Sequence, residues 1–341
     1  MLLLTKSVFA VMIGFLASTF IGLILIPKLK KMHAGQHVSV FLASAHKQKE
    51  GTPTMGGLIF ILSTTITILL LIITNKIDYT SNLLIVLLSF LGFGLIGFID
   101  DFLSLRKKGN EGLTTYQKLF MQVIISVIFF YIYMKNGGQT SLTIGTLHID
   151  LELGWLYGLF ILFVLVASSN AVNLTDGLDG LAGGLSAIAY IAFALISLIV
   201  GYEEIGIFSL ILSGSILGFL VFNSYPAKVI MGDTGSLALG GAMGAIAIIT
   251  HRELTLVVVA GVFVIETFSV IIQTISVVFF HKKVFLMSPL HHHFEKLGWK
   301  EPDIVKTFWI AGLVLAMSGI IFGVWSVSYT HLRAHETDSY L

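Results

Sequence analysis

Apolar residues along this chain fall into ten long runs that are separated by shorter polar segments. A helix that crosses a bilayer needs roughly 20 predominantly apolar residues, which is close to the length of most of these runs. The pattern therefore predicts an all-α, polytopic integral membrane protein with about ten transmembrane helices. The predicted spans are at about 7–27, 55–74, 81–99, 118–134, 153–172, 181–200, 205–222, 236–250, 254–280 and 306–327.

Composition agrees with lipid as the main solvent of this chain. Of its 341 residues 56% are hydrophobic and 11% are charged, whereas about 25% of the residues of a soluble domain are charged. The absence of cysteine excludes disulfides, thiolate metal sites and cysteine nucleophiles. A formal net charge of +1 without an isolated basic block gives no sign of a nucleic-acid partner.

The distribution of basic residues predicts the orientation in the membrane. The loops that follow the odd-numbered predicted helices contain all but five of the 20 Lys and Arg residues. Because cytoplasmic loops are enriched in Lys and Arg, these loops are expected in the cytoplasm and both termini outside. The five remaining residues are Lys6, Lys76, Lys135, Arg252 and Arg333.

The loops are too short for a separate soluble domain, so we expect a single transmembrane domain over residues 1–327. The apolar pattern stops after Trp325, and residues 328–341 resemble a translated vector or adapter sequence. We therefore expect a non-native tail there and exclude it from functional reasoning.

Two adjacent carboxylates, Asp100 and Asp101, follow the third apolar run. A charged carboxylate at the bilayer centre costs roughly 2.5–3.5 kcal/mol, so the pair is expected at a wet helix end. A solvated helix end is one interpretation of the pair. We favour a functional one, because two like charges directly after so apolar a stretch repel each other.

A second polar cluster lies between the fifth and sixth runs, with its first members three residues apart. That spacing places side chains along one helical face. The segment contains no Lys or Arg, and such an oxygen-rich patch suits Mg²⁺ or the hydroxyl and imide donors of a ligand. A polar cap between two helices explains one or two of these residues rather than four. They are Asn170, Asn173, Asp176 and Asp179.

A third motif, Met231 to Ser236, precedes the eighth run and contains Asp233. A capping role is a good structural interpretation, because Asp is favoured where helices begin. The functional interpretation is a metal ligand beside a phosphate site, with glycines that allow close backbone approach. Asn223 adds a polar group upstream in the same loop.

Two further motifs contain histidines and lysines. Three consecutive histidines, His291, His292 and His293, cannot all face one point on a helix, so a three-histidine zinc site is not expected. They could donate hydrogen bonds to a phosphate or simply be solvated. Lys49, ahead of the segment Thr52 to Gly57, could face lipid headgroups or hold a diphosphate.

All five motifs lie in the predicted cytoplasmic loops or the adjoining helix ends. This is typical of an enzyme that uses a water-soluble cytosolic substrate. Glu266 and Gln273, within the ninth run, are the clear polar exceptions. An intramembrane acid is a functional candidate by default, but the pair could equally bind neighbouring helices.

In this order, the five motifs closely resemble those of the polyprenyl-phosphate N-acetylhexosamine-1-phosphate transferases. The resemblance runs from the first helix to about Trp325. It implies ten transmembrane helices and a cytoplasmic active site in the bacterial inner membrane, often in a homodimer. The motifs are Thr52 to Gly57, Asp100-Asp101, Asn170 to Gly180, Met231 to Ser236 and Leu290 to Glu295.

The resemblance also implies a reaction, the first membrane step of peptidoglycan synthesis. Phospho-MurNAc-pentapeptide would pass from UDP-MurNAc-pentapeptide to undecaprenyl phosphate, with Mg²⁺ as cofactor, giving lipid I and UMP. Because both substrates are anionic, catalysis would rest on positioning and electrostatic stabilisation. A covalent two-step route stays open beside direct attack.

Residue roles follow from combining the motifs with the resemblance. We hypothesise that Asp233 is the principal metal ligand, helped by Asn173 or Asp100. Either Asp100 or Asp101 would deprotonate or orient the lipid phosphate. The diphosphate would be bound by His291 with its neighbours His292 and His293, and by Lys49 and Lys118. The uridine or ribose would contact Asp176, Asp179 and Asn223.

Two alternatives are carried forward. A sister enzyme would transfer GlcNAc-1-phosphate from UDP-GlcNAc to the same lipid; the Thr52 to Gly57 and Leu290 to Glu295 strings favour the muramoyl substrate. A transporter would show polar residues through the midplane and on both faces, which this sequence does not.

Overall fold

The computed structural model describes residues 2–32, 51–106, 112–144 and 149–338. Lys49, a predicted diphosphate ligand, lies outside the described residues. The described chain is almost entirely helical. Its helices are α1 (Leu2–Lys31), α2 (Gly57–Ile73), α3 (Ser81–Arg106), α4 (Thr115–Lys135), α5 (Leu156–Thr175), α6 (Leu181–Val200), α7 (Glu203–Asn223), α8 (Gly232–Ile249), α9 (Glu253–Val259), α10 (Gly261–Phe280), α11 (Leu290–Lys296) and α12 (Glu301–Asp338).

The predicted all-α membrane class is confirmed. Within the described residues, nine helices are long and apolar enough to cross a membrane. The predicted span at 55–74 is α2, an apolar helix of 17 residues, which is at the short end of the range for spanning a bilayer. The extracytoplasmic position of the termini stays a prediction.

The structure corrects the predicted pattern in two places. The ninth predicted run, 254–280, is two helices, α9 and α10, which are separated at Ala260. The connection between α4 and α5 contains an antiparallel hairpin of β1 (Ser141–Ile144) and β2 (Ile149–Glu152). A hairpin of four-residue strands gives too short an alternation to stand out beside apolar runs of about 20 residues.

Helix α8 lies in the centre of the bundle between α3 and α5, because its small residues allow close approach. Ser89 of α3 donates a hydrogen bond to the Gly241 carbonyl at 2.9 Å. Ser168 of α5 donates one to the Gly240 carbonyl at 2.8 Å. These contacts align the three helices, so that the start of α8 meets the ends of α3 and α5.

Candidate active site

Three carboxylates from two helices converge at this junction. Asp100 and Asp101 belong to the last turns of α3, and Asp233 is the second residue of α8. One oxygen of each lies within 4.8 Å of the others, an arrangement that could hold a metal ion. The convergence of predicted motifs from separate helix ends is thereby found in the structure.

Asp101 forms the N-terminal cap of α8 from a neighbouring helix. Its Oδ2 accepts hydrogen bonds from the Thr234 N–H at 3.0 Å and the Thr234 hydroxyl at 2.6 Å. Its Oδ1 accepts one from the Asp233 N–H at 3.2 Å. These N–H groups have no partner within their own helix, so the carboxylate satisfies them and complements the helix dipole. Asp101 is buried and fully engaged in this contact.

Glycines make this approach of α3 and α8 possible. Gly232 has a φ of +74°, and a Cβ there would lie 2.5 Å from Asp101 Oδ2. A Cβ at Gly97 would overlap the backbone of Asp233 and Thr234. Each position therefore needs glycine, the first for its backbone conformation and both for space.

We expect Gly97→Ala to lower the thermal unfolding temperature of the purified protein and to reduce activity. Overpacking costs about 1–3 kcal/mol, and here the obstacle is backbone that cannot rotate away. Gly92→Ala is the matched control on the same helix, because its Cβ would meet only the Ile125 side chain, at 3.1 Å. Equal unfolding temperatures for the two variants would contradict this interpretation of the junction.

The segment Thr52 to Gly57 pairs through its backbone with the residues before α8. The Ile230 N–H donates to the Pro53 carbonyl at 2.8 Å, and the Gly56 N–H donates to the Ile230 carbonyl at 2.8 Å. The Gly57 N–H donates to the Met231 carbonyl at 2.9 Å. Two motifs far apart in sequence thus form one unit beside the carboxylates.

Lys118, in the first turn of α4, supplies a cation to the carboxylates. Its Nζ forms a short ion pair with Asp233 and lies 3.3 Å from Asp100 Oδ2. Asp100 Oδ1 also accepts a hydrogen bond from the Leu113 N–H at 2.7 Å. Asp100 and Asp233 therefore face the cation, whereas Asp101 faces the helix start.

The two predicted asparagines lie on the same side of α5 as the carboxylates. Asn173 Nδ2 donates to Asp233 Oδ1 at 2.8 Å and to Ser236 Oγ at 2.9 Å. Asn170 Nδ2 donates to Gln122 Oε1 at 2.9 Å. Asn173 thus contacts the proposed metal ligand directly, and Asn170 is joined to α4 one turn after Lys118.

The remaining predicted residues of this region hold two turns together. The Asp179 Oδ2 accepts from the Ala227 N–H at 2.9 Å. Asn223 accepts from the Gly180 N–H at 3.1 Å and donates to the Val229 carbonyl at 2.9 Å. Asp176 is the C-terminal cap residue of α5. Their predicted contacts with the nucleoside stay predictions.

The three histidines of α11 point to different partners, as their consecutive positions require. His291 is wholly buried, and its Nε2 fills the space that a Cβ at Gly177 would need. His292 Nδ1 lies 2.5 Å from Glu295 Oε2. His293 Nδ1 accepts a hydrogen bond from the Leu286 N–H at 3.1 Å. His291 thus lies against the Asp176–Asp179 turn.

Sequence reasoning missed several residues that organise the site. Thr234 binds Asp101, and Glu301 accepts a hydrogen bond from the Asp179 N–H at 2.6 Å. Gln122 lies four residues after Lys118, so the helical repeat placed it on the same face. Thr234 was inside a motif already singled out, whereas nothing in the local sequence of Glu301 predicts its partner.

An apolar cavity of about 400 Å³ runs along α5. Its α5 lining extends from Phe160 to Val172, which is adjacent to Asn173. Twelve residues of helix correspond to roughly 18 Å. The opposite wall comes from α8, α9 and α10, and includes Met243, Val257, Phe263 and Ile271.

Comparisons with known proteins give a consistent result. Residues 83–251 match the glycosyl transferase family 4 model, and residues 49–61 match a phospho-N-acetylmuramoyl-pentapeptide-transferase signature. The chain is 49% identical to the phospho-N-acetylmuramoyl-pentapeptide-transferase of Bacillus subtilis over 318 residues, covering 93% of this chain and 98% of that protein. It is 48% identical to the Bacillus pumilus enzyme with the same coverage, and 47% identical to that of Oceanobacillus iheyensis, covering 94% and 99%.

Proposed function

Because this chain belongs to the family of the phospho-N-acetylmuramoyl-pentapeptide-transferases, we propose that it makes lipid I. It transfers phospho-MurNAc-pentapeptide from UDP-MurNAc-pentapeptide to undecaprenyl phosphate and releases UMP. The observation that carries this proposal is the convergence of Asp100, Asp101 and Asp233, which could hold a metal ion. The apolar groove along α5, whose lining on that helix ends one residue before Asn173, supports a lipid as the second substrate.

The residues present fit Mg²⁺, which we propose as the cofactor. The donors are carboxylate oxygens, the ligand type that Mg²⁺ prefers. The ion pairs of the Lys118 ammonium with Asp100 and Asp233 support a preference of this site for positive charge. Asp233 would be the principal ligand, with Asn173 or Asp100 beside it. When bound, the ion would neutralise charge on the transferring phosphate.

The side chains of the site divide the remaining work. Asp100 faces the Lys118 ammonium and does not cap a helix. We therefore assign Asp100, rather than Asp101, to orient or deprotonate the lipid phosphate. Lys118 would bind the diphosphate, since a lysine that bridges two carboxylates can exchange one for a phosphate oxygen. Asp101 holds Asp233 in position by capping α8.

The apolar groove would hold the first part of the undecaprenyl chain. Its lining is apolar except for Glu253 and the hydroxyls of Ser168 and Thr267. Its α5 lining ends at Val172, so a phosphate at this end would lie toward Asn173 while the hydrocarbon stays out of water. We also propose that the carboxylate cluster faces the cytoplasm and that the protein lies in the bacterial inner membrane. A homodimer is part of the same proposal.

The proposal is tested with purified protein, undecaprenyl phosphate and Mg²⁺, with UDP-MurNAc-pentapeptide or UDP-GlcNAc in parallel. UMP and lipid I are expected with the muramoyl substrate and little UMP with UDP-GlcNAc. Faster UMP release from UDP-GlcNAc would instead show the sister activity, which the comparisons do not favour. Detergent micelles without vesicles suffice, since no transport is required.

We expect Val257→Trp to raise the KM for undecaprenyl phosphate by about tenfold and to leave the KM for the UDP-sugar unchanged. A larger side chain would fill part of the groove. The lipid would then lose the free energy of burying about two methylene groups. Initial rates with either substrate varied separately give the two constants. Leu313→Trp, an exposed position on α12 that does not line the groove, is the control. An equal rise in both constants would argue against lipid binding in this groove.

A further inference from the structure

Glu266 is a wholly buried carboxylate in the second turn of α10, and its contacts lead to the histidine motif. Its Oε2 accepts a hydrogen bond from the Leu290 N–H at 2.7 Å. Its Oε1 accepts one from the His291 N–H at 3.2 Å. The same oxygen lies 3.3 Å from His291 Nδ1. One acid therefore contacts both the backbone and the ring of His291.

These contacts replace the cap that α11 lacks in its own sequence. The helix begins after Pro289, which makes no side-chain capping bond. The N–H groups of Leu290 and His291 would otherwise be left without acceptors, at a cost typical of buried polar groups. Glu266 satisfies both and so fixes where α11 begins.

Gln273 holds the other end of the same connection. It lies two turns along α10, and its Oε1 accepts from the N–H groups of Val284 and Phe285 at 3.1 and 2.9 Å. Its Nε2 donates to the Phe285 carbonyl at 3.0 Å. The two intramembrane polar residues that the sequence left unexplained thus bracket the segment that leads into α11.

The ring of His291 is held between Glu266 and the Asp176–Asp179 turn. Its Nδ1 faces the carboxylate, and its Nε2 faces Gly177. Within the described residues neither ring nitrogen has a hydrogen-bond partner of good geometry. A buried nitrogen without a partner is costly unless a ligand completes it. A carboxylate beside Nδ1 favours a proton on that nitrogen and leaves Nε2 for the turn side.

We infer that Glu266 is a positioning residue of the transferase, which acts through His291. It sets the place of His291 by capping α11 and its tautomer by facing Nδ1, so that Nε2 is presented beside the Asp176–Asp179 turn. The inference rests on the proposed function only in giving His291 a role toward the substrate. The geometry of Glu266 and His291 can be tested without turnover.

The first test is kinetic. Glu266→Gln keeps the shape but puts an amide where two backbone donors and Nδ1 converge. We expect kcat to fall by about tenfold, the lower end for loss of a carboxylate that orients a histidine. In a His291→Ala background the same change should have a clearly smaller effect on kcat, because the ring that Glu266 orients is gone and only the two backbone contacts remain. Multiplying effects in the double variant would overturn the inference and leave Glu266 with a structural role alone.

Ser269→Ala is the matched control for a buried polar change on α10. Ser269 is buried and donates only to the Glu266 carbonyl of its own helix, at 2.6 Å. This variant should keep wild-type kcat and fold as Glu266→Gln does. A tenfold loss in Ser269→Ala would mean that any polar change in this part of α10 is damaging, which would contradict a specific action through His291.

The second test is independent of turnover. The ¹⁵N spectrum of histidine-labelled wild-type protein should contain a ring signal with its proton on Nδ1 that disappears in His291→Asn. The ring of His292, whose Nδ1 faces Glu295, should give its own such signal in both proteins. If wild-type His291 carries its proton on Nε2 alone, the inference fails even when lipid I is made. If the expected tautomer is seen but the protein makes no UMP from either UDP-sugar, the proposed function fails while the positioning by Glu266 stands.

Discussion

Replacing Asp233 with Asn is expected to lower the rate of UMP release by about 10²–10³-fold, in line with the several kcal/mol that metal-ion stabilisation supplies. Asp233 is contacted at Oδ1 by Asn173 and at Oδ2 by Lys118, so it lies at the centre of the proposed cation site. The amide would remove one negative charge. Its NH₂ group would also face either the Asn173 amide or the Lys118 ammonium, both of which are hydrogen-bond donors. The Mg²⁺ concentration for half-maximal activity should rise as well.

A Mg²⁺ titration of UMP release by wild type and Asp233→Asn measures both effects. Asp303→Asn is a suitable control, because Asp303 is an exposed acid in the first turn of α12 and is not part of the carboxylate cluster. It should keep the rate and metal dependence of the wild type. Wild-type activity of Asp233→Asn with unchanged metal dependence would remove Asp233 from the site.

Asp100→Asn and Asp101→Asn are expected to fail in different ways, although the two residues are neighbours. Asp100→Asn should reduce kcat by about 10²–10⁴-fold, the usual contribution of a general acid or base, with little change in unfolding temperature. Asp101→Asn should lower the unfolding temperature too. Its amide cannot accept from Thr234 and Asp233 at once, and a buried donor left without an acceptor costs about 1–3 kcal/mol.

Thermal unfolding in detergent beside UMP release separates the two variants. Thr234→Val checks the expected effect of Asp101→Asn on the unfolding temperature, because it removes the hydroxyl that donates to Asp101 at 2.6 Å and keeps the carboxylate. It should lower the unfolding temperature by less than Asp101→Asn. If Asp100→Asn turned over at the wild-type rate, the assignment of Asp100 to the lipid phosphate would be wrong.

The fold class and the membership of the carboxylate cluster could be predicted from the sequence, because lipid restricts where polar groups can lie. Asp100, Asp101 and Asp233 fell at helix ends that the apolar runs placed on one side. To predict that they converge, it was then enough to know that successive helices cross the membrane in alternating directions. The same restriction marked Glu266 as unusual, since a buried acid within an apolar run needs partners.

What could not be predicted depends on contacts between residues far apart in the chain. The capping of α8 by Asp101 joins positions more than 130 residues apart, and neither local sequence encodes the other. No proline lies near Ala260 to predict the break between α9 and α10. Gly261 alone is weak evidence for a break in a chain with 34 glycines. The partner of Glu266 was open for the same reason, because the start of α11 became known only with its position in the fold.

The tight junction of α2, α3 and α8 also restricts how this protein can change over generations. A side chain at Gly57 would collide with the backbone of Gly235, and one at Gly97 with the backbone of Asp233. An antibiotic anchored on these carboxylates would therefore meet a surface where resistance mutations carry a folding defect. Escape is expected instead in the loop before α11, where exposed side chains such as Val284 and Leu286 can be exchanged without disturbing the bundle.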